Sequence, residues 1–305
     1  MAIGRYAPSP TGTLHVGNLR TAVVAWLFAR SEGSELRLRW EDLDTTARPE
    51  HEARQRRDLT RLGIEFDGDE MRQSDRLRIY QDVIDDLNRA GLTYPCWCSR
   101  REIREATAAP HGLRGAYPGT CRSLDTTASR ALRESGRPPA LRLRTDQREL
   151  TIVDRLHGPS TGVVDDFVLA RGDGTPAYNL VVVVDDAAQG IEEVVRGDDL
   201  LGSTARHAYL QRVLGVPEPR WTHVPLVFDS TGTRLAKRDG SNGLDHWLAA
   251  GGSVASLLAA FGRTLGIAVG PTATIDDLLA GFDPDRIPRQ PAALGPTGAE
   301  LALLP

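Results

Sequence analysis

The chain has 305 residues, 40% hydrophobic and 26% charged, with a net charge of -4, a composition that suits a globular protein with a core of ordinary size. Its longest apolar runs, such as Val181–Val184 and Ala255–Phe261, fall far short of the ~20 residues that span a bilayer, and no apolar stretch with a cleavage site follows the N-terminus. Membrane insertion and secretion are therefore not expected, a cytoplasmic location is the default, and the acidic balance argues against a globally basic nucleic-acid binder.

In chain order, residues 2–7 read as a strand. A turn containing Pro8, Pro10 and Gly12 follows, then a helix over about 17–31 with Leu19, Val23, Trp26, Leu27 and Arg30 at helical spacing. Leu36, Leu38 and Trp40 alternate as a second strand that ends at Glu41 and Asp42. Strand, phosphate-friendly turn, helix and strand open a doubly wound parallel sheet, whose ligands sit beyond the carboxyl ends of the strands. Ser74 starts a helix carrying Leu77, Tyr80, Val83, Ile84 and Leu87, and Gly91 stops it. Residues 107–122 read as a loop that a bound metal would order. Leu141–Leu143, Val163–Leu169 and Tyr178–Val184 are predicted strands, Thr204–Leu214 a helix, and Val224–Phe228 a return to the sheet. After Gly270 the chain is rich in Pro, Gly and Ala, with no further large helical region expected.

Four groups of residues carry chemistry. His15-Val16-Gly17-Asn18 lies at a helix start, where Gly17 lets the backbone approach a nucleotide, the helix dipole favours phosphate and His15 can donate to a phosphate oxygen. Arg5 offers a planar guanidinium that meets a carboxylate bidentately. Of the 37 basic residues 36 are arginine, so Lys237, in Arg234-Leu235-Ala236-Lys237-Arg238, is the sole lysine; a compact ammonium there can follow charge moving onto a leaving pyrophosphate. The three cysteines, Cys96, Cys98 and Cys121, are too few and too close for a disulfide framework. They can supply three thiolate ligands to zinc, and coordination chemistry alone makes His111 the fourth.

The run Arg5-Tyr6-Ala7-Pro8-Ser9-Pro10-Thr11-Gly12, then Leu14-His15 and Arg20-Thr21-Ala22, resembles the glutamyl branch of the class I aminoacyl-tRNA synthetases, with Asn18 where the commonest form of their signature has a second histidine. Trp40-Glu41-Asp42-Leu43-Asp44, Thr175–Leu180 and Val195–Leu200 are similar to further blocks of that branch, and 234–238 resembles its mobile lysine loop, departing from it at Arg234 and Ala236. The resemblance covers about 3–250. It implies that Arg5, Ala7 and Ser9 hold glutamate, that Glu41 meets its ammonium, that Tyr178 and Arg196 complete the pocket, and that His15, Gly17, Asn18 and Lys237 serve ATP and its Mg²⁺. Cys-x-Cys, then Tyr117 and Cys121, resembles the zinc site of a short branch of this family that carries glutamate to the queuosine base in the anticodon of tRNA(Asp). That implies one structural Zn²⁺ with Tyr117 as fourth ligand in place of His111.

The implied architecture is α/β. A Rossmann-type, doubly wound catalytic domain occupies 1–92 and 180–240, an inserted zinc-binding subdomain 93–179, and a short, mainly helical C-terminal region 241–305, with no anticodon-binding domain. A monomer acting on ATP, L-glutamate and the anticodon loop of tRNA(Asp) is expected, because about 65 residues after Lys237 leave no room for a large helical anticodon reader. A glutamyl-tRNA synthetase charging tRNA(Glu), and a non-enzymatic glutamate- or nucleotide-binding protein, are the alternatives.

Overall fold

The computed structural model describes residues 2–107, 116–229 and 243–294 and the backbone of 301–303. The chain opens with β1 (Gly4–Tyr6), α1 (Val16–Ser31) and β2 (Leu36–Trp40), as the alternation predicts. Leu19, Val23 and Leu27 are buried at helical spacing, yet Ala22, Val24 and Ala25 are buried too, because C-terminal helices cover the outer side of α1. Next come α2 (Pro49–Arg61), β3 (Met71–Arg72), a 3-10 turn at Ser74–Arg76 and α3 (Leu77–Arg89). Gly91 follows α3 at φ 70°, a left-handed conformation that stops a helix without a Cβ clash. Tyr80, Ile84 and Leu87 are buried as predicted, whereas Leu77 is exposed.

β4 (Thr93–Cys96), α4 (Arg100–Thr107), α5 (Thr126–Glu134) and β5 (Ala140–Leu143) lead to the hairpin β6 (Glu149–Asp154) and β7 (Gly158–Val163). β8 (Val168–Ala170), α6 (Tyr178–Ala188), β9 (Glu193–Gly197), α7 (Leu201–Leu214), β10 (Arg220–Val224) and β11 (Val227–Asp229) complete the central part. The C-terminal part holds α8 (Leu244–Ala249), α9 (Val254–Thr264), α10 (Ile275–Gly281), β12 (Ala292–Leu294) and β13 (Leu301–Leu303).

The main sheet runs β3-β2-β1-β9-β10-β6-β7, parallel throughout except for β7. From β1 the chain winds outward through β2 and β3, then crosses to β9 and β10 on the other side, so the strand order reverses between β1 and β9. One face packs against α1 and the C-terminal helices, and the other against α3, α6 and α7. Within 93–179, β4, β5 and β8 form their own sheet over a small core of Tyr94, Cys96, Trp97, Tyr117 and Cys121, while the hairpin β6–β7 extends the main sheet.

Four expectations need correction, the first being that Val224–Phe228 returns to the sheet: Val224 ends β10, and β11 pairs with β12 in a separate sheet. Tyr178–Val184 is the first part of α6 and not a strand. Leu180, Val181, Val182 and Val183 are all buried, so the run has no polar face to reveal its period, and core packing overrides the modest helical penalty of valine. In Val163–Leu169, Val163 ends β7 and only Val168 and Leu169 enter β8. The C-terminal part is helical as expected but adds β12, which pairs parallel to β11, and β13, antiparallel to β12.

Candidate active site

Strand carboxyl ends at a reversal of strand order leave a crevice, because neighbouring connections depart to opposite faces. A cavity of about 670 Å³ lies there, beyond β1 and β9. Arg5, Ala7 and Ser9 reach it from the end of β1 and the following turn, and Glu41 from the residue after β2. His15, Gly17 and Asn18 line it from the start of α1, Tyr178 from the start of α6, and Arg196 from the end of β9. All nine predicted glutamate- and nucleotide-site positions among the described residues thus meet in one place. Lys237 and His111 lie outside the described residues.

The nucleotide-type loop is built locally. His15 is the N-cap of α1, and its Nδ1 accepts from the Asn18 backbone N–H at 3.2 Å. Gly17 packs so closely on that ring that an added Cβ would stand 3.1 Å from two of its atoms. The His15 backbone forms a bridge with Gly243, while Pro225, Leu226 and Val227 line the opposite cavity wall. Both flanks of the segment carrying Lys237 are therefore at the cavity.

The cavity floor is an ion network that the sequence showed only in part. Arg5 donates to Asp186 at 3.3 Å and to the Val195 carbonyl at 3.2 Å. Arg39, fully buried, donates to Asp186 at 2.7 Å and to Glu41 at 3.4 Å. Asp185 is also fully buried and accepts from Gln73, Arg76 and Tyr80 at 2.8–3.0 Å. Arg196 meets no carboxylate among the described residues: its guanidinium is held by His223 at 3.0 Å, His207 at 3.2 Å and Thr204 at 2.8 Å. With Glu41 ionised, the charged residues that line the cavity are three guanidinium groups (Arg5, Arg20, Arg196) against two carboxylates (Glu41, Asp199), with Arg39 and Arg76 offsetting Asp186 and Asp185 behind them. The residual positive charge suits a ligand with two carboxylates and one ammonium. Burial raises the Glu41 pKa, against Arg39 and Arg5, which favour the carboxylate; burial lowers the Arg196 pKa, and Arg39 and Arg5 keep Asp186 low despite its burial. Arg39, Asp154, His207 and His223 were missed by motif reading, since no local pattern distinguishes them from ordinary strand and helix residues.

A second cluster closes the small sheet. The ligand atoms of Cys96, Cys98 and Cys121 lie within 4.8 Å of one another. Cys98 Sγ is 3.6 Å from Cys121 Sγ, and the Tyr117 hydroxyl is 3.3 Å from Cys96 Sγ and 3.9 Å from Cys98 Sγ. Thiolate and oxygen ligands of a tetrahedral zinc stand roughly 3.5–3.8 Å apart, so the cysteine triad fits a zinc ion and Tyr117 is within reach of the fourth corner. Burial and the neighbouring thiols push the Cys98 thiol up to about 12, the response of a thiol cluster whose compensating charge would be a bound dication.

The family described as tRNA synthetases class I (E and Q), catalytic domain, matches residues 2–277. A glutamyl-Q tRNA(Asp) synthetase from Nocardia farcinica is 54% identical, over 97% of this chain and 94% of its own length. One from Cutibacterium acnes is 46% identical, over 87% and 76%. A crystal structure of a glutamate tRNA ligase from Elizabethkingia meningosepticum, in complex with its amino acid, superposes with a TM-score of 0.77 at 25% identity, covering 94% of this chain and 66% of that one. The chain thus spans just under two thirds of that ligase but nearly the whole of the first relative. The cavity at the strand reversal, the lining residues and these likenesses agree: the chain belongs to the class I tRNA synthetases of the E and Q type, within whose catalytic-domain family it shares an α/β parallel-sheet fold.

Proposed function

We propose that the protein activates L-glutamate with ATP and transfers it to the queuosine base in the anticodon of tRNA(Asp). The observation that carries this reading is the convergence of Arg5, Glu41 and Arg196, from three strands, on one cavity whose wall is the His15–Asn18 helix start. Arg5 and Arg196 would take the two carboxylates of glutamate, Glu41 its ammonium, and Ala7, Ser9 and Tyr178 the remaining surface. His15, Gly17 and the N-terminus of α1 would take the phosphates of ATP. In the first step an oxygen of the α-carboxylate attacks the α-phosphorus. The new O–P bond forms as the bond to the departing pyrophosphate breaks, and glutamyl-adenylate results. The step needs no protein nucleophile, so positioning and charge do the catalysis. Mg²⁺ brought with ATP would neutralise phosphate charge.

Lys237 is assigned to the leaving pyrophosphate, a role supported by the position of its flanking residues at the cavity. Zinc held by Cys96, Cys98, Cys121 and Tyr117 would order the small sheet. For the division into a catalytic unit at 1–92 and 180–240, an inserted unit at 93–179 and a C-terminal region at 241–305, the separate sheet of β4, β5 and β8 is support, while the hairpin β6–β7 within 93–179 belongs to the main sheet. No helix among the described residues is long and apolar enough to cross a membrane; a cytoplasmic location and a monomer working on tRNA are part of the proposal. The test is transfer of labelled glutamate to queuosine-containing tRNA(Asp), with queuosine-free tRNA(Asp) and tRNA(Glu) as controls. Labelling that ignores queuosine, or that prefers tRNA(Glu), refutes the proposed acceptor.

A further inference from the structure

Arg5 and Arg196 are both buried in the cavity wall, but they are held in different ways. Arg5 shares the carboxylate of Asp186 with Arg39. Arg196 is held by one neutral acceptor on each of its three nitrogens, which uses three of its five N–H groups: Nε donates to His223 Nε2 at 3.0 Å, Nη1 to His207 Nδ1 at 3.2 Å and Nη2 to Thr204 Oγ1 at 2.8 Å. Its guanidinium lies 5.2 Å from the centre of the Trp221 ring, which also contacts both imidazoles. Arg196 is 5% exposed, His207 1% and His223 0%. Burying a cation with no carboxylate in direct contact is costly, and Asp186 offsets the Arg196 charge only from a distance, so an arrangement that withholds a direct partner needs a reason.

An imidazole nitrogen accepts from an arginine only while it is unprotonated, and its other nitrogen must then give its proton to something else. His223 Nδ1 is 2.7 Å from Asp154 Oδ2, and His207 Nε2 is 2.9 Å from Asn179 Oδ1. These two acceptors fix the tautomers that leave His223 Nε2 and His207 Nδ1 free to receive Arg196. Asp154 is itself pinned by the backbone N–H groups of Leu156, His157 and His223 at 2.9–3.0 Å. Its charge is therefore kept one imidazole away from the arginine. Burial, with the Arg196 charge next in weight, holds His207 well below the usual imidazole range, and burial lowers His223 as well.

We infer that Asp154–His223 and Asn179–His207 are two positioning relays that aim the Arg196 guanidinium into the cavity while denying it a carboxylate partner, so that the site selects a substrate side chain ending in a carboxylate over one ending in a carboxamide. The inference deepens the glutamate reading and rests on it. A carboxylate of the protein placed directly on Arg196 would neutralise it and leave a neutral donor edge that glutamine satisfies as well as glutamate. With neutral acceptors behind it and Asp186 acting only at a distance, Arg196 gains a carboxylate in direct contact from the substrate. The relays touch no reacting atom, and their effect should fall on glutamate affinity and selectivity, not on ATP.

The experiment is ATP–pyrophosphate exchange on the full-length protein, with glutamate and with glutamine as substrate, for four variants. His207→Asn and His223→Gln each keep an oxygen acceptor at the place of the nitrogen that meets Arg196. His207→Leu and His223→Leu remove it. The leucine variants are expected to raise the glutamate KM and lower the glutamate-to-glutamine ratio of kcat/KM by about tenfold or more, with the ATP KM within about twofold of wild type. The acceptor-keeping variants should stay within about threefold of wild type on every measure. Folded leucine variants with unchanged glutamate KM and selectivity overturn the inference. If the leucine variants do not fold, the acceptor-keeping pair decides it: a loss of glutamate KM and selectivity of about tenfold there overturns it, and retention supports it. Wild-type protein that shows no glutamate-dependent exchange refutes the proposed function itself, whereas active wild type with indifferent variants refutes the relays alone.

Discussion

Gly17→Ala separates stability from function because the two effects have opposite origins at one atom. Gly17 is the second residue of α1, and an added Cβ would stand 3.1 Å from both Cε1 and Nδ1 of His15. The imidazole must move by a few tenths of an ångström, which loosens its 3.2 Å bond from the Asn18 backbone N–H. Losing an N-cap bond costs about 1 kcal/mol, and replacing glycine by alanine in a helix returns up to about 1 kcal/mol. The two nearly cancel, so Tm should move by no more than a few degrees in a chain of this size. Activity has no such compensation. The methyl group occupies the face that the nucleotide approaches, and His15 leaves its place. A displacement of this kind should lower kcat/KM for ATP by about tenfold or more, equivalent to ~1.4 kcal/mol of transition-state stabilisation. ATP–pyrophosphate exchange at sub-saturating ATP, beside a thermal melt, measures both. Exchange at the wild-type rate would show that His15 and Gly17 do not cradle the nucleotide.

Further expectations follow from the same geometry. Lys237→Ala should slow adenylate formation by about a hundredfold or more while leaving glutamate binding by calorimetry nearly unchanged; equal losses in both would contradict its assignment to the leaving pyrophosphate. Cys98→Ser should release zinc and expose the 93–143 region to proteolysis, and metal analysis of purified wild type and variant checks it, with unchanged metal content the adverse result. The folded-state pKa of His207 is lowered, so the unfolded chain takes up the proton first. The contribution of this histidine to stability is therefore complete above about pH 6.5 and falls by ~1.4 kcal/mol per unit below it. Wild type should then lose stability between pH 6.5 and 5 more steeply than His207→Asn; parallel curves would remove His207 from the buried network. Glu41 has a raised pKa, so its hold on a substrate ammonium should fail at a pH above the ordinary carboxylate range as the solution is acidified, seen as a rising glutamate KM that Glu41→Gln no longer shows.

The sequence by itself determined the chemistry at the chain's local motifs. Arg5, Ser9, His15 and Gly17 fall within one strand, turn and helix start, where residue type and spacing say what Arg5, His15 and Gly17 can offer while the role of Ser9 rests on the family resemblance, and the alternation around Leu36–Trp40 is enough to place Glu41 at a strand end. The thiolate triad Cys96, Cys98 and Cys121 was legible from residue type and spacing, whereas Tyr117 came from the family resemblance, since coordination chemistry alone pointed to His111. What only the tertiary structure decided is how those pieces meet and what stands behind them. Leu180 and the valines at 181–183 carry no period because every side is covered, so α6, which sets Tyr178 and Asp186 in place, could not be told from a strand. Arg39 looks like an ordinary strand residue until Asp186, 147 positions away, is found 2.7 Å from it. Asp154, His207 and His223 acquire their meaning only from Arg196, because a hydrogen-bond network is defined by distance in space and leaves no periodicity along the chain.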